Sequence, residues 1–599
     1  MSKPMSQVKL RSEIDSQWKW DLSHIYESDA AWEKDFVKVK ELCRAFASYQ
    51  GKVAENPIAP IKARTEAELL LTSLYSYARM HLDEDNANST YQAFSDRAMS
   101  LYVEAETSFA FLDPELLTLP EETLQALAGN PEMKDYDAFM HRLLRGKPHT
   151  LPAEQERLLA MTGEIAATPD TIYTMLTSVD MKFPEIEDAD GNKVELTEAS
   201  FGIYRQSPNR KVREASFNAL FGTYRSFAST LAASYSGSVK VDLFSATAHC
   251  FDSAVEASLF RDEIPLAVYE NLIAAVHDSI PVLNEYLTLI QKALKVDQLH
   301  MYDMYASTAP NFSMPLTYTQ AYDLVLEGLA PLGEDYLSVL RDARIGGWID
   351  VYPSKAKSNG AYSWGSYSNK HPYVLLNHQD DLDSAMTIAH EMGHAMHSYY
   401  SNANQPAPKS SYSLFLAEVA STCNEVLLIT YLMEKHKDDK TALLFLCNNL
   451  LEQFRTTVFR QTMFAEFELI SHRMAEEGEA LTHEALTNVY YELNKTYYGG
   501  VCHVDEAIGI EWARIPHFYR AFYVYQYATG FSAAVALANR ILTEGAPAVA
   551  DYRKFLSAGS SLSPIETLKL AGVDMLKPET VTDAMKLFKK TVEKLGSLM

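Results

Sequence analysis

The sequence predicts a mainly α-helical protein that contains two short β regions. Amphipathic helical patterns separated by turn residues fill most of the chain, and they dominate again from residue 390 to the end. Patterns typical of strands are confined to residues 182–197 and 346–378. With 599 residues, the chain is long enough for a large core and for more than one lobe.

The first 200 residues form the first predicted domain. Turn residues at 55–57 (ENP) and 146–148 (GKP) interrupt a series of amphipathic patterns. Residues 182–197 then have the pattern of a β-hairpin around a DADGN turn. We therefore predict an N-terminal helical domain over residues 1–200 and a second domain over residues 201–599. The helices predicted in the first domain cover residues 31–50, 65–83, 91–111, 120–130 and 153–167.

The second β region directly precedes a predicted helix. Asp380, Asp381 and Asp383 are candidate N-caps of that helix, because an aspartate side chain can accept from the free N–H groups of a first turn. A small sheet is therefore expected beside the start of the helix. Its predicted strands are residues 347–352 (GWIDVY), 361–367 (AYSWGSY) and 373–377 (YVLLN).

Composition and charge restrict the functional class. The chain carries 53 Lys and Arg against 79 Asp and Glu, a formal charge of −26, which makes nucleic acid and anionic membrane poor partners. The five cysteines are scattered without a C-x-x-C, which is typical of a reducing compartment. The first 20 residues contain no apolar signal core, and no apolar run approaches the length of a membrane span. We therefore expect a cytoplasmic protein.

The sequence HEMGH at residues 390–394 is the most informative stretch of the chain. On a helix, His390 and His394 share a face and can bind one metal ion, while Glu391 lies beside that ion and can take a proton from a bound water. The pattern predicts the centre of a zinc peptidase with one zinc ion. A surface helix with two unrelated histidines is the first alternative. A carboxylate-bridged di-iron site would need a second E-x-x-H, and the sequence has none.

A third ligand is expected downstream, because catalytic zinc usually has three protein ligands and one position for water. Glu418 is a carboxylate among apolar residues on a predicted helix that Ser410 or Ser411 can cap, and we assign it as the ligand. Glu425 lies two turns later, where it either orients a ligand histidine through a ring N–H or is a solvated helix residue. His397 is interpreted as a packing or orienting residue.

A tyrosine-rich segment, residues 515–530, is the candidate source of oxyanion stabilisation. His517 precedes Tyr519, Tyr523 and Tyr527, which would share one face of a helix. A tyrosine hydroxyl or a histidine N–H can donate a hydrogen bond to the oxyanion that forms when water attacks a scissile carbonyl. A stripe of packed tyrosines is the alternative interpretation.

The strand predicted at residues 361–367 is a candidate peptide-binding edge. Gly360, Ala361 and Tyr362 are its candidate substrate-binding residues, because small residues let another backbone approach and a peptide can add to such a strand. An ordinary aromatic-rich strand in a small sheet fits the sequence nearly as well.

Four motifs in this order resemble those of one family. GAYSW at 360–364, HEMGH at 390–394, FLAEVAS at 415–421 and the aromatic segment at 515–530 are similar to oligoendopeptidase F, in the thimet-oligopeptidase-like group of zinc metallopeptidases. The resemblance covers nearly the whole chain. It implies an elongated multi-helix metallopeptidase body with a deep substrate channel, in which residues 201–599 form the catalytic domain.

The resemblance also assigns roles to the candidate residues. It implies three zinc ligands, one general base, and a histidine with tyrosines that bind the substrate carbonyl and the oxyanion. The segment contains four tyrosines, of which we favour two. The matching positions are His390, His394 and Glu418 for zinc, Glu391 for the base, His517 for the histidine, and Tyr523 and Tyr527 for the tyrosines.

The activity implied by the resemblance is hydrolysis of internal bonds in short, unfolded oligopeptides. Two alternatives stay open: an exopeptidase of the dipeptidyl carboxypeptidase type, and a zinc-containing peptide-binding protein without catalysis. An intact Glu391 argues against the second, because a binding protein has no need of a base. The sequence does not define the cleavage preference or the oligomeric state.

Overall fold

In the computed structural model of the chain, residues 8–309 and 312–599 are described. Helices account for 71% of the residues and strands for 3%, which confirms the predicted mainly α class. The chain forms two compact units, each assembled from three stretches of sequence. The first unit contains Met1–Thr150, Ser313–Tyr431 and Leu537–Val573, and the second contains Leu151–Phe312, Leu432–Ala536 and Asp574–Met599.

These units do not follow the order of the chain. Each unit combines stretches that are distant in sequence, whereas the predicted boundary at residue 200 is a single point of the chain. The predicted division into residues 1–200 and 201–599 therefore stays a prediction.

The first unit has a core in which aromatic side chains join neighbouring helices. Trp32 is fully buried and donates its Nε1–H to the carbonyl of Leu74 over 2.9 Å. The helix that carries Trp32 begins after Ser28, whose side chain accepts from the Ala31 N–H. The α-helices of this unit are Asp29–Phe46, Ile58–Glu84, Ser89–Phe109, Leu112–Leu117, Glu121–Ala128, Asp137–Gly146, Tyr318–Gly328, Glu334–Ile345, Leu382–Asn404, Leu414–Lys435, Ala546–Leu556 and Pro564–Leu570.

A three-stranded sheet in the first unit leads into the helix that contains HEMGH. Tyr373–Leu375 is the central strand, parallel to Ile349–Asp350 and antiparallel to Tyr362–Trp364. The helix Leu382–Asn404, here called the motif helix, begins after Asp381, whose carboxylate accepts from the N–H of Ser384 over 2.8 Å. The small sheet and the aspartate cap are therefore confirmed, with strands shorter than the sequence predicted.

The second unit consists of helices and two small strand pairs. The predicted hairpin is confirmed, because Glu185–Glu187 pairs antiparallel with Lys193–Glu195. A parallel pair of Leu299–His300 with Cys502–His503 was not predicted. The α-helices of this unit are Ala153–Met161, Gly163–Ala166, Thr168–Met175, Glu198–Tyr204, Arg210–Ser226, Ala228–Ala248, Ala254–Phe260, Leu266–Asp278, Ile280–Leu294, Lys440–Gln453, Arg460–Glu476, His483–Tyr498, Tyr525–Glu544 and Glu579–Leu598.

The helix Leu414–Lys435 differs from its prediction in two respects. It begins directly after Ser413, whose carbonyl accepts from the Leu416 N–H, so the cap predicted at Ser410 or Ser411 is wrong. By length and composition alone it could cross a membrane, contrary to our expectation that no run reaches that length. In its apolar 18-residue stretch, 61% of the residues are buried, as in a core helix of a globular protein. The expected cytoplasmic location stays a prediction.

Candidate metal centre and active site

The motif helix and the helix Leu414–Lys435 bring three potential metal ligands together. His390 Nε2 lies 3.2 Å from His394 Nε2, and Glu418 Oε2 lies 3.6 Å from the first atom and 3.8 Å from the second. Tetrahedral zinc with bonds of about 2.0–2.2 Å holds its ligand atoms roughly 3.3 Å apart. The donor types and their spacing therefore fit one zinc ion.

Close contact between the two helices depends on Gly393. A Cβ atom added there would lie 2.5 Å from Ser421 Cα and 2.8 Å from the carbonyl oxygen of Ala420. Asn424, which is fully buried, donates its side-chain N–H to the carbonyl of Ala389 over 3.0 Å. These contacts hold the second helix against the motif, so that Glu418 faces the two histidines.

Glu391 has the surroundings of a general base. Its side chain is buried, and its Oε2 atom has no hydrogen-bond partner within residues 8–309 and 312–599. Burial raises the pKa of Glu391 to about 7, an effect that His390 opposes and Glu418 and Glu425 reinforce. A metal cation at the neighbouring ligands would lower this pKa and favour the ionised, proton-accepting form.

Glu425 directly contacts His390, one of the two candidate ligand histidines. Its Oε1 atom lies within hydrogen-bond distance of His390 Nδ1, while Nε2 of the same ring faces the other ligands. Burial lowers the pKa of His390, but Glu425 outweighs burial and raises it. Burial and His390 lower the pKa of His394 to about 3, so that ring is neutral, as metal binding requires. A carboxylate beside the outer nitrogen of a ligand ring is the usual device that orients it.

His397 lies one turn beyond the ligand pair and outside the triangle. Its ring stacks on Tyr412 with centroids 3.6 Å apart, and burial lowers its pKa to about 3. Tyr412 in turn exchanges a hydrogen bond of 2.7 Å with Ser398. His397 is therefore a packing residue in this structure.

The candidate substrate strand is at an edge of the sheet. In the sheet order of the described residues, Tyr362–Trp364 has the central strand on one side only. The Tyr362 hydroxyl donates to Asp83 over 2.9 Å, which ties the strand to the helix Ile58–Glu84. Gly360 has a φ of 79° and no atom within 4 Å of an added Cβ, so this glycine serves a turn conformation. Ala361 lies between this turn and the strand and is half-buried.

In the second unit, His517, Tyr523 and Tyr527 form one aromatic group. The ring of His517 lies 6.2 Å from each tyrosine ring, and the two tyrosine rings lie 5.5 Å apart. His517 is exposed, and partial burial together with Arg520 lowers the pKa of its ring. The structure therefore brings together the three residues that the sequence selected from this segment.

The prediction of a tyrosine stripe on one helical face is wrong. The turn Pro516–Tyr519 ends before the helix Tyr525–Glu544 begins, and Phe522 between them has a φ of 56°. A residue in this left-handed region interrupts a right-handed helix. Tyr519 therefore turns away and packs on Tyr173, with ring centroids 4.6 Å apart.

Two buried carboxylates that support these sites were not selected from the sequence. Glu468 is fully buried and accepts from the Phe522 N–H over 2.9 Å, which stabilises the turn before the aromatic group. Asp83 accepts from Tyr362. Glu468 carries the signal that selected Glu418, because it is a carboxylate between apolar neighbours, Phe467 and Leu469. The sequence gives no such signal for Asp83, because the last turn of its helix contains other charged residues and Asp83 does not stand out among them.

Comparison with known protein families gives the affiliation of the chain. A model of Peptidase family M3 matches residues 203–587, and a model described as Oligopeptidase F matches residues 115–183. The chain belongs to peptidase family M3. This M3 peptidase is a metallo-endopeptidase, a hydrolase whose family uses a metal cofactor and acts on oligopeptides.

Relatives of this M3 peptidase include bacterial proteins of similar length. The chain is 44% identical to Oligopeptidase PepF of Bacillus subtilis, over 100% of this chain and 89% of that protein. It is 39% identical to Group B oligopeptidase PepB of Streptococcus agalactiae, over 98% of both. The predicted resemblance to oligoendopeptidase F is confirmed.

Solved structures share the fold of the M3 peptidase. A putative peptidase from Chlamydophila abortus matches with a TM-score of 0.94 at 33% identity, covering 99% of this chain and 100% of that one. Oligoendopeptidase-F from Enterococcus faecium matches with a TM-score of 0.72 at 33% identity, covering 95% and 99%.

Proposed function

We propose that this M3 peptidase is a zinc-dependent endopeptidase that hydrolyses internal bonds of short, unfolded oligopeptides. The observation that carries the proposal is the triangle of His390, His394 and Glu418, spaced for one zinc ion and adjoined by the buried carboxylate of Glu391. Relatives named oligopeptidase and oligoendopeptidase support substrates of this kind.

Glu391 is the residue that moves protons in this mechanism. Zinc on the three ligands would supply a Lewis acid that acidifies a water and polarises the scissile carbonyl. Glu391 takes a proton from the attacking water and later gives it to the leaving amine. A carboxylate with a pKa near the working pH can both accept and return that proton, and the burial of Glu391 raises its pKa toward this range.

His517, Tyr523 and Tyr527 are proposed to donate hydrogen bonds to the oxyanion. Preorganised donors aimed at developing negative charge are among the largest contributions to acyl-transfer catalysis. The grouping of these three rings, with Tyr519 turned away, supports the choice of the two tyrosines.

The free side of Tyr362–Trp364 is proposed to pair with the substrate backbone. An extended peptide can form main-chain hydrogen bonds with such an edge without any sequence requirement. Gly360 and Ala361 lead into the strand without bulky side chains. The proposal therefore includes all three residues, with Tyr362 acting through its main chain because its hydroxyl is held by Asp83.

The test is cleavage of one internally quenched peptide by three proteins at matched zinc content: wild type, Glu391→Ala and Asp383→Ala. We expect the wild type to cut an internal bond and Glu391→Ala to bind zinc but turn over at least about 100-fold more slowly, because general base catalysis is lost. Asp383 is an exposed carboxylate on the same helix, so its substitution should leave turnover unchanged.

Product masses separate this proposal from its alternatives. Release of C-terminal dipeptides alone would identify an exopeptidase. Retention of intact peptide by zinc-loaded wild type would identify a peptide-binding protein. Equal turnover by wild type and Glu391→Ala would show that another group acts as the base.

A further inference from the structure

A small cavity in the second unit is lined by basic side chains. Its volume is about 30 Å³, and its wall includes Arg205, Arg213, Arg455 and Arg460 together with the carboxylate of Glu511. Buried cations destabilise a protein unless opposite charges or hydrogen-bond acceptors surround them. The partners of these arginines therefore indicate what the cavity holds.

Carboxylates compensate only part of the positive charge around this cavity. Three carboxylates serve the four arginines of the wall together with Arg210, which lies outside the wall and is 37% exposed, and among the described residues no carboxylate pairs with Arg205. That guanidinium lies over the ring of Tyr305 at 3.9 Å, a ring that Arg455 also approaches at 4.6 Å. The pairs are Asp303 with both Arg210 and Arg213, Glu452 with Arg455, and Glu511 with Arg460, all at 2.6–2.8 Å.

The electrostatic environment is positive around Arg205 and Tyr305, whereas Glu452 and Glu511 outweigh burial and raise the pKa values of Arg455 and Arg460. Burial lowers the pKa of Arg205, as expected for a cation without a counter-ion. Burial alone would raise the pKa of Tyr305, but Arg460, Arg455 and Arg205 outweigh it and lower that pKa. Both shifts have the sign that a surplus of buried positive charge produces.

Three hydrogen-bond donors on the cavity wall have no acceptor among the residues that the structure describes. They are the Nε–H groups of Arg205 and Arg213 and the hydroxyl of Tyr498, which is 2% exposed. The oxygens of Glu511 accept instead from Arg460 at 2.7 and 3.1 Å and from the hydroxyl of Tyr490 at 2.6 Å. Donors without acceptors around one cavity indicate an occupant that accepts hydrogen bonds.

We propose that this cavity binds a small monovalent inorganic anion of halide size, held by Arg205, Arg213 and Tyr498. One buried water needs about 10–15 Å³ on this scale, so a cavity of about 30 Å³ has room for a single ion of halide size. Water can accept these hydrogen bonds but cannot compensate the surplus charge, whereas a halide does both.

Bromide gives the direct test, because its anomalous scattering distinguishes it from water. Crystals of the full-length protein would be soaked in sodium bromide, and data collected at the bromine absorption edge. We expect an anomalous peak within hydrogen-bond distance of Arg205 Nε, Arg213 Nε and the Tyr498 hydroxyl. Density in the cavity without an anomalous signal would mean water, and bromide bound only elsewhere would also overturn the proposal.

Thermal unfolding in sodium chloride and in sodium gluconate at constant ionic strength tests the site in solution. For wild type we expect a chloride-specific, saturable rise in the unfolding midpoint, because a ligand of the folded state stabilises it. For Arg205→Gln we expect that at least about ten-fold more chloride is needed to raise the unfolding midpoint by the same amount, because a charged hydrogen-bond donor is lost.

Two further variants complete this experiment. Arg225→Gln alters an exposed arginine of the same unit away from the cavity, and should respond as wild type does. Tyr498→Phe removes only one hydroxyl and should weaken the chloride response several-fold. If Arg205→Gln does not fold, the result for Tyr498→Phe decides the outcome. An equal chloride response in wild type, Tyr498→Phe and Arg225→Gln would overturn the proposal.

Discussion

At the scale of single residues, three glutamates of the proposed metal centre differ in their surroundings. Glu418 is 41% exposed and directs one oxygen toward both histidines. Glu425 is less exposed and contacts His390 Nδ1, and Glu391 is buried with an oxygen that has no partner in the described part of the chain. Burial and neighbouring charge decide how one side-chain type behaves. These surroundings suit a ligand, an orienting group and a base, respectively.

Replacement of Glu425 by glutamine should weaken zinc binding. An amide cannot supply the negative charge that orients His390 and increases its basicity, and loss of such a partner typically lowers metal affinity by about 10–100-fold. Zinc affinity would be measured by competition with a chromophoric chelator. Glu434→Gln on the same helix is the matched control, because its side chain is 71% exposed and remote from the ligands. Equal affinity in both variants would show that Glu425 does not orient the ligand.

At the scale of secondary-structure elements, the metal centre depends on how closely two helices approach. The motif helix contributes the histidines, and Leu414–Lys435 contributes Glu418. Gly393 is at their point of contact, where an added Cβ would overlap the backbone of Ser421. The second variable position of H-E-x-x-H therefore has a packing role in this protein.

Gly393→Ala should reduce both stability and zinc affinity. The extra methyl group forces the helices apart, at a cost of about 1–3 kcal/mol for overpacking, and moves Glu418 away from the histidines. Denaturant unfolding and chelator competition would measure the two effects. In Gly222→Ala, the control, the added methyl meets no atom within 4 Å on an exposed helix position, so stability should be unchanged or slightly higher. Normal zinc affinity in Gly393→Ala would contradict this account.

At the scale of the whole molecule, a buried ion cluster joins distant parts of the first unit. Asp350 in the sheet is 1% exposed, and Arg11 and Lys357 each approach its carboxylate to 2.7 Å. Arg11 also pairs with Glu84 at the end of a long helix, at 2.6 Å. Burial alone would raise the pKa of Asp350, but Lys357 and Arg11 outweigh it and lower that pKa.

Asp350→Asn should destabilise the protein by about 3–5 kcal/mol near neutral pH, because the buried Lys357 and the partly buried Arg11 lose their shared anion. Since folding lowers the pKa of Asp350, its contribution is complete above the unfolded pKa of about 3.9 and is lost as the pH falls through the folded value. The difference in the free energy of unfolding between wild type and Asp350→Asn should therefore be constant from pH 8 to about 5, and it should shrink in stronger acid.

Urea unfolding followed by tryptophan fluorescence over this pH range measures the effect of Asp350→Asn. Asp113→Asn is the control, because Asp113 forms a partly exposed pair with Arg64 that contributes at most about 1 kcal/mol. If the difference in unfolding free energy between wild type and Asp350→Asn did not shrink in acid, the loss of stability would come from packing and not from charge.

The sequence by itself determined the features that depend on neighbours along the chain. Helical periodicity, the hairpin turn near residue 190, the Asp381 cap and the spacing of His390 and His394 all follow from local backbone geometry. A burial argument selected Glu418 because a carboxylate among apolar residues requires a partner. These predictions needed no knowledge of which helix packs against which.

Only the tertiary structure decided the features that depend on contacts between distant residues. Phe522 has a left-handed backbone conformation, and Glu468 accepts a hydrogen bond from its N–H. A turn therefore replaces the predicted helical stripe, and Tyr519 packs away from Tyr523 and Tyr527. The composition of each unit from three stretches of chain, and the cavity that collects basic residues from several helices, have no local signature. The physical reason is that local patterns report the conformation of a segment, whereas the partner of each buried polar group is set by packing between segments.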